Sequence, residues 1–180
     1  MWAMWHPVGG RDGLQCASIV VVITSKAQRS TQRRTMPVVP DQKPVPVSDA
    51  LSQGFWDAAE HHQLAIQRCA HCGHYAHPPV RICRACQADE PLFSFALVSG
   101  RGRLRSWTVA RTAFLPAFEA DLPWVAADVE LEEQAQLRIV APLVDGPDAD
   151  LAIGRAVEVV FDDRPAGPPV PCFRLAGGAA

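Results

Sequence analysis

Long apolar runs are missing from this 180-residue chain. The stretch Ile19–Ile23 is far below the roughly 18–20 apolar residues that a membrane span needs, and no small-residue cleavage site follows it. Neither a membrane helix nor a secretory leader is therefore expected, and the cytosol is the expected compartment. Also missing are a phosphate-cradling glycine loop, a dinucleotide fingerprint and a Ser/His/Asp order, so the common nucleotide-dependent and acyl-transfer chemistries have no residues to carry them. Net charge is small, −2 overall, but uneven. Residues 1–35 hold Arg11, Lys26, Arg29, Arg33 and Arg34 against Asp12, a balance of +4 that leaves −6 on the remainder, whose sole lysine is Lys43. An acidic body repels a phosphate backbone at long range, which argues against general nucleic-acid binding.

What is present is cysteine in a pattern. Of the six, Cys16 and Cys172 stand alone, while Cys69-Ala70-His71-Cys72-Gly73 and Cys83-Arg84-Ala85-Cys86 form two C-x-x-C pairs. In a reducing compartment such pairs read as metal ligands rather than disulfides. Two residues between cysteines let both sulfurs of a tight turn face one ion, and the N–H groups of the turn can bond the thiolates. Gly73 supplies the positive φ that such a turn favours. Cys69, Cys72, Cys83 and Cys86 thus form a closed tetrathiolate set for one structural zinc, with no position left for water. Iron in a rubredoxin-type centre uses the same four ligands; a colourless protein carrying one zinc per chain excludes it. His71, His74 and His77 crowd the knuckles, but four thiolates already suffice, and they read as a solvated loop.

Around that module the chain divides into four parts. Residues 1–47 read as a disordered or mis-started extension, Met36 being an alternative start, followed by a Pro-rich linker with Pro37, Pro40, Pro44 and Pro46. Residues 48–63 read as a helix behind the N-cap types Ser48 and Asp49, with Leu51, Phe55, Ala58, Ala59 and His62 at helical spacing. Phe55 and Trp56 would anchor it, either on this chain's core or on a partner. Residues 64–92 are the metal module. Residues 93–176 read as five strands in a small antiparallel barrel. These are Arg103–Arg111, Trp124–Glu132 (Val125, Ala127, Val129 and Leu131 inward), Leu137–Leu143 (Leu137, Ile139, Ala141 and Leu143 inward), Ala156–Asp162 (Val157, Val159 and Phe161 inward) and a short strand after Pro171. The fold class is mainly β: a short helix, a ribbon, then an OB-type barrel.

Arg101, Arg103 and Arg105 alternate along the first barrel strand and share a face if it is regular, with Trp107 and Arg111 beyond them. Such a row suits a phosphorylated ligand or single-stranded nucleic acid; a solvated sheet edge is the plain alternative. Gly100-Arg101-Gly102 is too short for a phosphate cradle and reads as a bend into the sheet. Glu132/Glu133 and Asp162/Asp163 read as solvated turns, and Cys172 as a small buried residue rather than a nucleophile.

The order of these motifs resembles the DUF35 family of zinc-ribbon/OB-fold proteins associated with acyl-CoA enzymes. It runs from the Phe55-Trp56 helix through C-x-x-C-G…P-P-x-x-x-C-x-x-C to Gly100-Arg-Gly-Arg-Leu-Arg-Ser106-Trp-Thr108-Val109, Leu122-Pro-Trp-Val-Ala and Ile153-Gly154-Arg-Ala-Val-Glu-Val159. The likeness spans residues 48–175 and leaves residues 1–35 outside. Gln87 stands where many ribbons have glycine. The resemblance implies a rubredoxin-like ribbon holding zinc on the four cysteines and a five-stranded OB barrel. It further implies a non-catalytic subunit that docks on a thiolase-like, hydratase or aldolase enzyme and helps hold acyl-CoA. The arginine row read from the strand pattern, Arg101, Arg103 and Arg105, then supplies the candidates for its phosphates. Single-stranded nucleic-acid binding by the barrel is the alternative.

Overall fold

A computed structural model describes residues 43–88 and 92–177. The expectations for residues 1–35, Cys16 among them, fall outside these residues. The described residues belong to one unit within Val38–Ala180.

Helix α1 spans Gln53–Ala59, shorter than the 48–63 expected. The delay has a local cause. Asp49 Oδ1 accepts the N–H groups of Leu51 (3.1 Å) and Ser52 (2.8 Å) and the Ser52 hydroxyl (2.6 Å), closing an Asx turn before the helix can start. Ser52, the actual N-cap, therefore makes no side-chain cap. The helix stops because His62 adopts φ 54°, a left-handed residue that lets the N–H of Gln63 return to Ala58 O. Phe55 and Ala59 are buried, and Gly54 lies so close to the Phe95 ring that any side chain there would overlap it. Phe55 and Trp56 meet edge to face at 5.0 Å; Phe55 is buried in this chain's own core and the half-buried Trp56 packs against it.

Strands β1 (Ala65–Cys69), β2 (Tyr75–Ala76) and β3 (Phe93–Leu97) form a three-stranded antiparallel sheet in the order β2-β1-β3. No strand was expected at β3; it pairs with β1 from Ala65↔Leu97 to Cys69↔Phe93. Its sequence, Phe-Ser-Phe-Ala-Leu, has one polar residue and too little alternation to declare a strand.

Strands β4 (Arg101–Ala110), β5 (Trp124–Leu131), β6 (Arg138–Leu143), β7 (Ala156–Asp162) and β8 (Val170–Leu175) close into a barrel in the order β4-β5-β6-β8-β7. All pairs are antiparallel except β6–β8, the arrangement of an OB barrel. The eight residues expected inward on β5 and on the 137–143 segment are all buried. On β7, Val157 is buried while Val159 and Phe161 are only half-buried, because they point toward neighbours at the rim: Val159 fills the space beside Gly100, and Phe161 takes the His62 ring edge-on. The bend at Gly100 and Gly102 is required twice over. Gly100 has φ 70°, and a Cβ on Gly102 would stand 2.5 Å from Glu130 O.

One apolar cluster runs from Phe55, Leu64 and Ile66 into Leu104, Val125, Val129, Val157 and Phe173. The ribbon therefore shares its core with the barrel. Burying each such side chain is worth roughly 1.5–3 kcal/mol, so the barrel holds the first ribbon strand.

Candidate metal centre

Period-2 geometry explains how the centre is built. On β1 and the residue before it, Leu64 and Ile66 face the shared core, while Ala65, Gln67 and Cys69 face the opposite side, and all are buried. Cys69 thus enters the ribbon from a strand, and the chain then folds into the first knuckle, closed by the Gly73 N–H on Cys69 O at 2.8 Å. The second knuckle repeats it, with the Gln87 N–H on Cys83 O at 2.9 Å. Gly73 has φ 75° and Gln87 φ 51°. Gln87 therefore adopts the left-handed conformation that glycine favours, at a cost of roughly 1–2 kcal/mol for a residue with a Cβ. Gln87→Gly is expected to raise thermal stability by roughly 0.5–1 kcal/mol, the remainder being offset by the freer unfolded chain; an unchanged or lower melting temperature contradicts the reading.

The four sulfurs lie within 4.8 Å of one another. Cys69 and Cys86 stand 3.9 Å apart, Cys72 and Cys83 3.6 Å. Four sulfurs around a tetrahedral zinc at ~2.3 Å are about 3.8 Å apart, so the residues fit the ion. Cys69 and Cys83 are buried, each 1% exposed, and Cys72 and Cys86 are exposed. Backbone N–H groups of Cys86 and Ala85 favour the Cys83 thiolate, lowering its thiol to about 6. Cys72 takes a bond from the His74 N–H, but desolvation and the neighbouring sulfurs of Cys83, Cys86 and Cys69 outweigh it and push the thiol up to about 11. A metal ion here must displace protons, so its binding strengthens with pH.

The histidines do not join the cluster. His71 is exposed, His74 approaches the Gln134 amide at 3.5 Å, and His77 is not a solvated loop residue: its ring lies 5.5 Å from Phe55, and burial lowers its pKa.

Two glutamines, neither singled out by sequence, fix the ribbon. Gln67, 2% exposed, accepts the Val80 N–H (2.8 Å) and donates to Val80 O (3.0 Å), pinning the Pro78-Pro79-Val80 turn three residues before Cys83. Gln134, in the β5–β6 turn, accepts the Tyr75 N–H (2.8 Å) and donates to Tyr75 O (3.1 Å), pairing with the open edge of β2 as a neighbouring strand would. The signal for Gln67 was its place on the buried face of β1 beside a ligand; Gln134 had none, since its partner is 59 residues away.

The arginine row is altered by a β-bulge. The β4–β5 register shifts between Leu104 and Ser106, leaving Arg105 as the extra residue. Beyond it the faces exchange: Trp107 and Val109 pack against the core, so Trp107 does not extend the row as expected, and Arg111 lies past the strand. Arg101, Arg103 and Arg105 are exposed but not a positive stripe. Arg101 stands opposite Glu158, Arg103 opposite Glu130, and Arg105 Nε is 3.7 Å from Glu130. Of the carboxylate pairs expected as solvated turns, Glu133 accepts the Ser99 N–H at 2.6 Å, Asp162 pairs with Arg164 at 3.3 Å, and Asp163 meets His62 at 2.8 Å. Cys172 is buried, donates to Val170 O at 3.6 Å, and burial with the nearby Asp162 charge pushes its thiol up to about 11, which makes it a poor nucleophile.

Residues 56–91 match the family description "ChsH2, rubredoxin-like zinc ribbon domain" and residues 96–162 match "ChsH2, C-terminal OB-fold domain". The chain is 36% identical over 102 residues to a DUF35 domain-containing scaffold protein of Methanocaldococcus jannaschii, covering 57% of this chain and 70% of that protein. It is 38% identical over 125 residues to a probable enoyl-CoA hydratase alpha subunit of Thermomonospora curvata. That match covers 68% of this chain but 37% of the relative, so the chain spans little more than a third of it. Among solved structures it resembles a chain of the Ltp2-ChsH2(DUF35) aldolase, with a TM-score of 0.63 and 32% identity over 73% of this chain and 98% of that one. A DUF35 protein of unknown function from Sulfolobus solfataricus shares the fold at a TM-score of 0.51 and 10% identity, over 71% of this chain and 87% of that one.

Proposed function

The chain belongs to the DUF35 family, with the zinc-ribbon and OB-fold domains of its ChsH2 form, and on that basis we propose that it is a non-catalytic subunit that docks on an acyl-CoA enzyme of the aldolase, hydratase or thiolase kind and helps hold the acyl-CoA substrate. The observation that carries this is the 32% identity over 98% of the DUF35 chain seen with an aldolase. The chemistry of the centre supports it, because four thiolates around one structural zinc leave no coordination position for substrate. The ribbon also offers contact surface: Ile82, Leu92 and Leu97 are each more than half exposed.

For the acyl-CoA phosphates the candidates are Arg101 and Arg103, which form no ion pair among the described residues, with Arg105 weaker because Glu130 already faces it. Exchanging Arg101→Glu and Arg103→Glu together is expected to raise the partner enzyme's KM for acyl-CoA by roughly 10–100-fold, the scale of losing charge-assisted contacts, with zinc content unchanged. An unaltered KM removes the arginines from the site. The single-strand reading rested on an arginine row with one tryptophan, and with Trp107 packed against the core it loses its stacking platform.

A further inference from the structure

Beside Trp124 at the start of β5, a cavity of about 480 Å³ is walled by the 111–123 loop, the end of β6 with Val144 and Gly146, the end of β7 and Arg164. That volume is ample for a small molecule, since ligand sites run to ~300–1,000 Å³. Its wall is apolar and partly aromatic: Phe118, Trp124, Leu143, Val160, Phe161 and the Cys172 thiol. Its rim carries two cations, each held by its own carboxylate, Lys43 Nζ to Asp121 at 2.8 Å and Arg164 Nε to Asp162 at 3.3 Å. Arg164 also donates to Pro44 O at 3.2 Å, and Val45 packs against Gly167, so the segment at 43–45, expected as a linker, is fastened along this rim.

We propose that this cleft is a binding site for an uncharged, bulky apolar molecule. Such a ligand covers the aromatic wall and leaves both rim ion pairs intact. A phosphate-bearing ligand would instead lie against Asp121 and Asp162, whose countercharges are already committed. The site is separate from the metal centre and from the arginines proposed for acyl-CoA.

The test uses the full zinc-loaded chain alone and the neutral fluorescent probe N-phenyl-1-naphthylamine, so its failure leaves the docking proposal untouched. Saturable one-to-one binding is expected. Val144 lines the cavity yet is 58% exposed, so Val144→Trp fills the space from its open side; it is expected to weaken probe binding at least tenfold. Val140→Trp, at a side chain 69% exposed and outside the cavity lining, is expected to leave it unchanged. Decanol should displace the probe at lower concentration than decanoyl-CoA. If Val144→Trp fails to fold, Val144→Phe, a smaller fill at the same exposed position, decides instead, with a loss of at least threefold expected. Absence of saturable binding, unchanged affinity in the Val144 variant or stronger displacement by the thioester overturns the proposal.

Discussion

Stripping zinc from the intact protein is expected to release the two knuckles, residues 69–88, while the barrel stays folded. Apart from Cys69 and Cys83 these knuckles bury no apolar side chain outright, so beyond the hydrogen bonds of Gln67 and Gln134 the metal is the main term that opposes the entropy of ordering them. Comparable sites draw roughly 10–16 kcal/mol of apparent binding energy from their ion. The boundary of the release follows from the shared core. Leu64 and Ile66 pack into the barrel cluster, so β1 should keep part of its protection. Amide hydrogen exchange reads this directly: fast exchange across the knuckles after chelation, near-native protection on β5 and β6. Cys83→Ser, which removes the buried ligand whose thiolate the turn favours, is expected to weaken zinc retention by on the order of 100-fold or more, beyond the 10–100-fold typical of losing an outer partner. Unchanged knuckle protection after chelation would show that the fold, not the ion, holds them.

Gln67 carries the second large effect. Its amide satisfies both polar groups of Val80 in a position 2% exposed. Gln67→Met keeps the shape and strands the Val80 N–H and C=O, at about 1–3 kcal/mol each. A loss of roughly 2–4 kcal/mol is expected, together with a 10–100-fold drop in zinc affinity, because the turn that presents Cys83 is no longer fixed. Thermal denaturation and competition against a zinc indicator measure the two. If Gln67 merely fills space, Gln67→Met leaves both unchanged.

These residues show what a sequence discloses. The ligand cysteines were legible because C-x-x-C spacing is local chemistry, and β5 and β6 because one wet and one buried face imposes a period of two that the residues display. Three features were not legible. The helix start was displaced by an Asx turn that competes with the cap. The bulge at Arg105 inserts one residue and exchanges the faces beyond it, which no residue type announces. Gln134 acts across a long separation, so only the folded chain shows that it caps β2. Family membership was legible through motif order, while the surfaces that would receive a partner are a property of the assembled fold.

The most direct test of the account is co-expression of the full chain with candidate acyl-CoA aldolases and hydratases from the same organism, followed by gel filtration with light scattering and zinc analysis on the same fractions. The account predicts one stoichiometric complex carrying one zinc per copy of this chain, dissociating when zinc is removed. Separate elution of the two proteins, with the enzyme fully active alone, would contradict it.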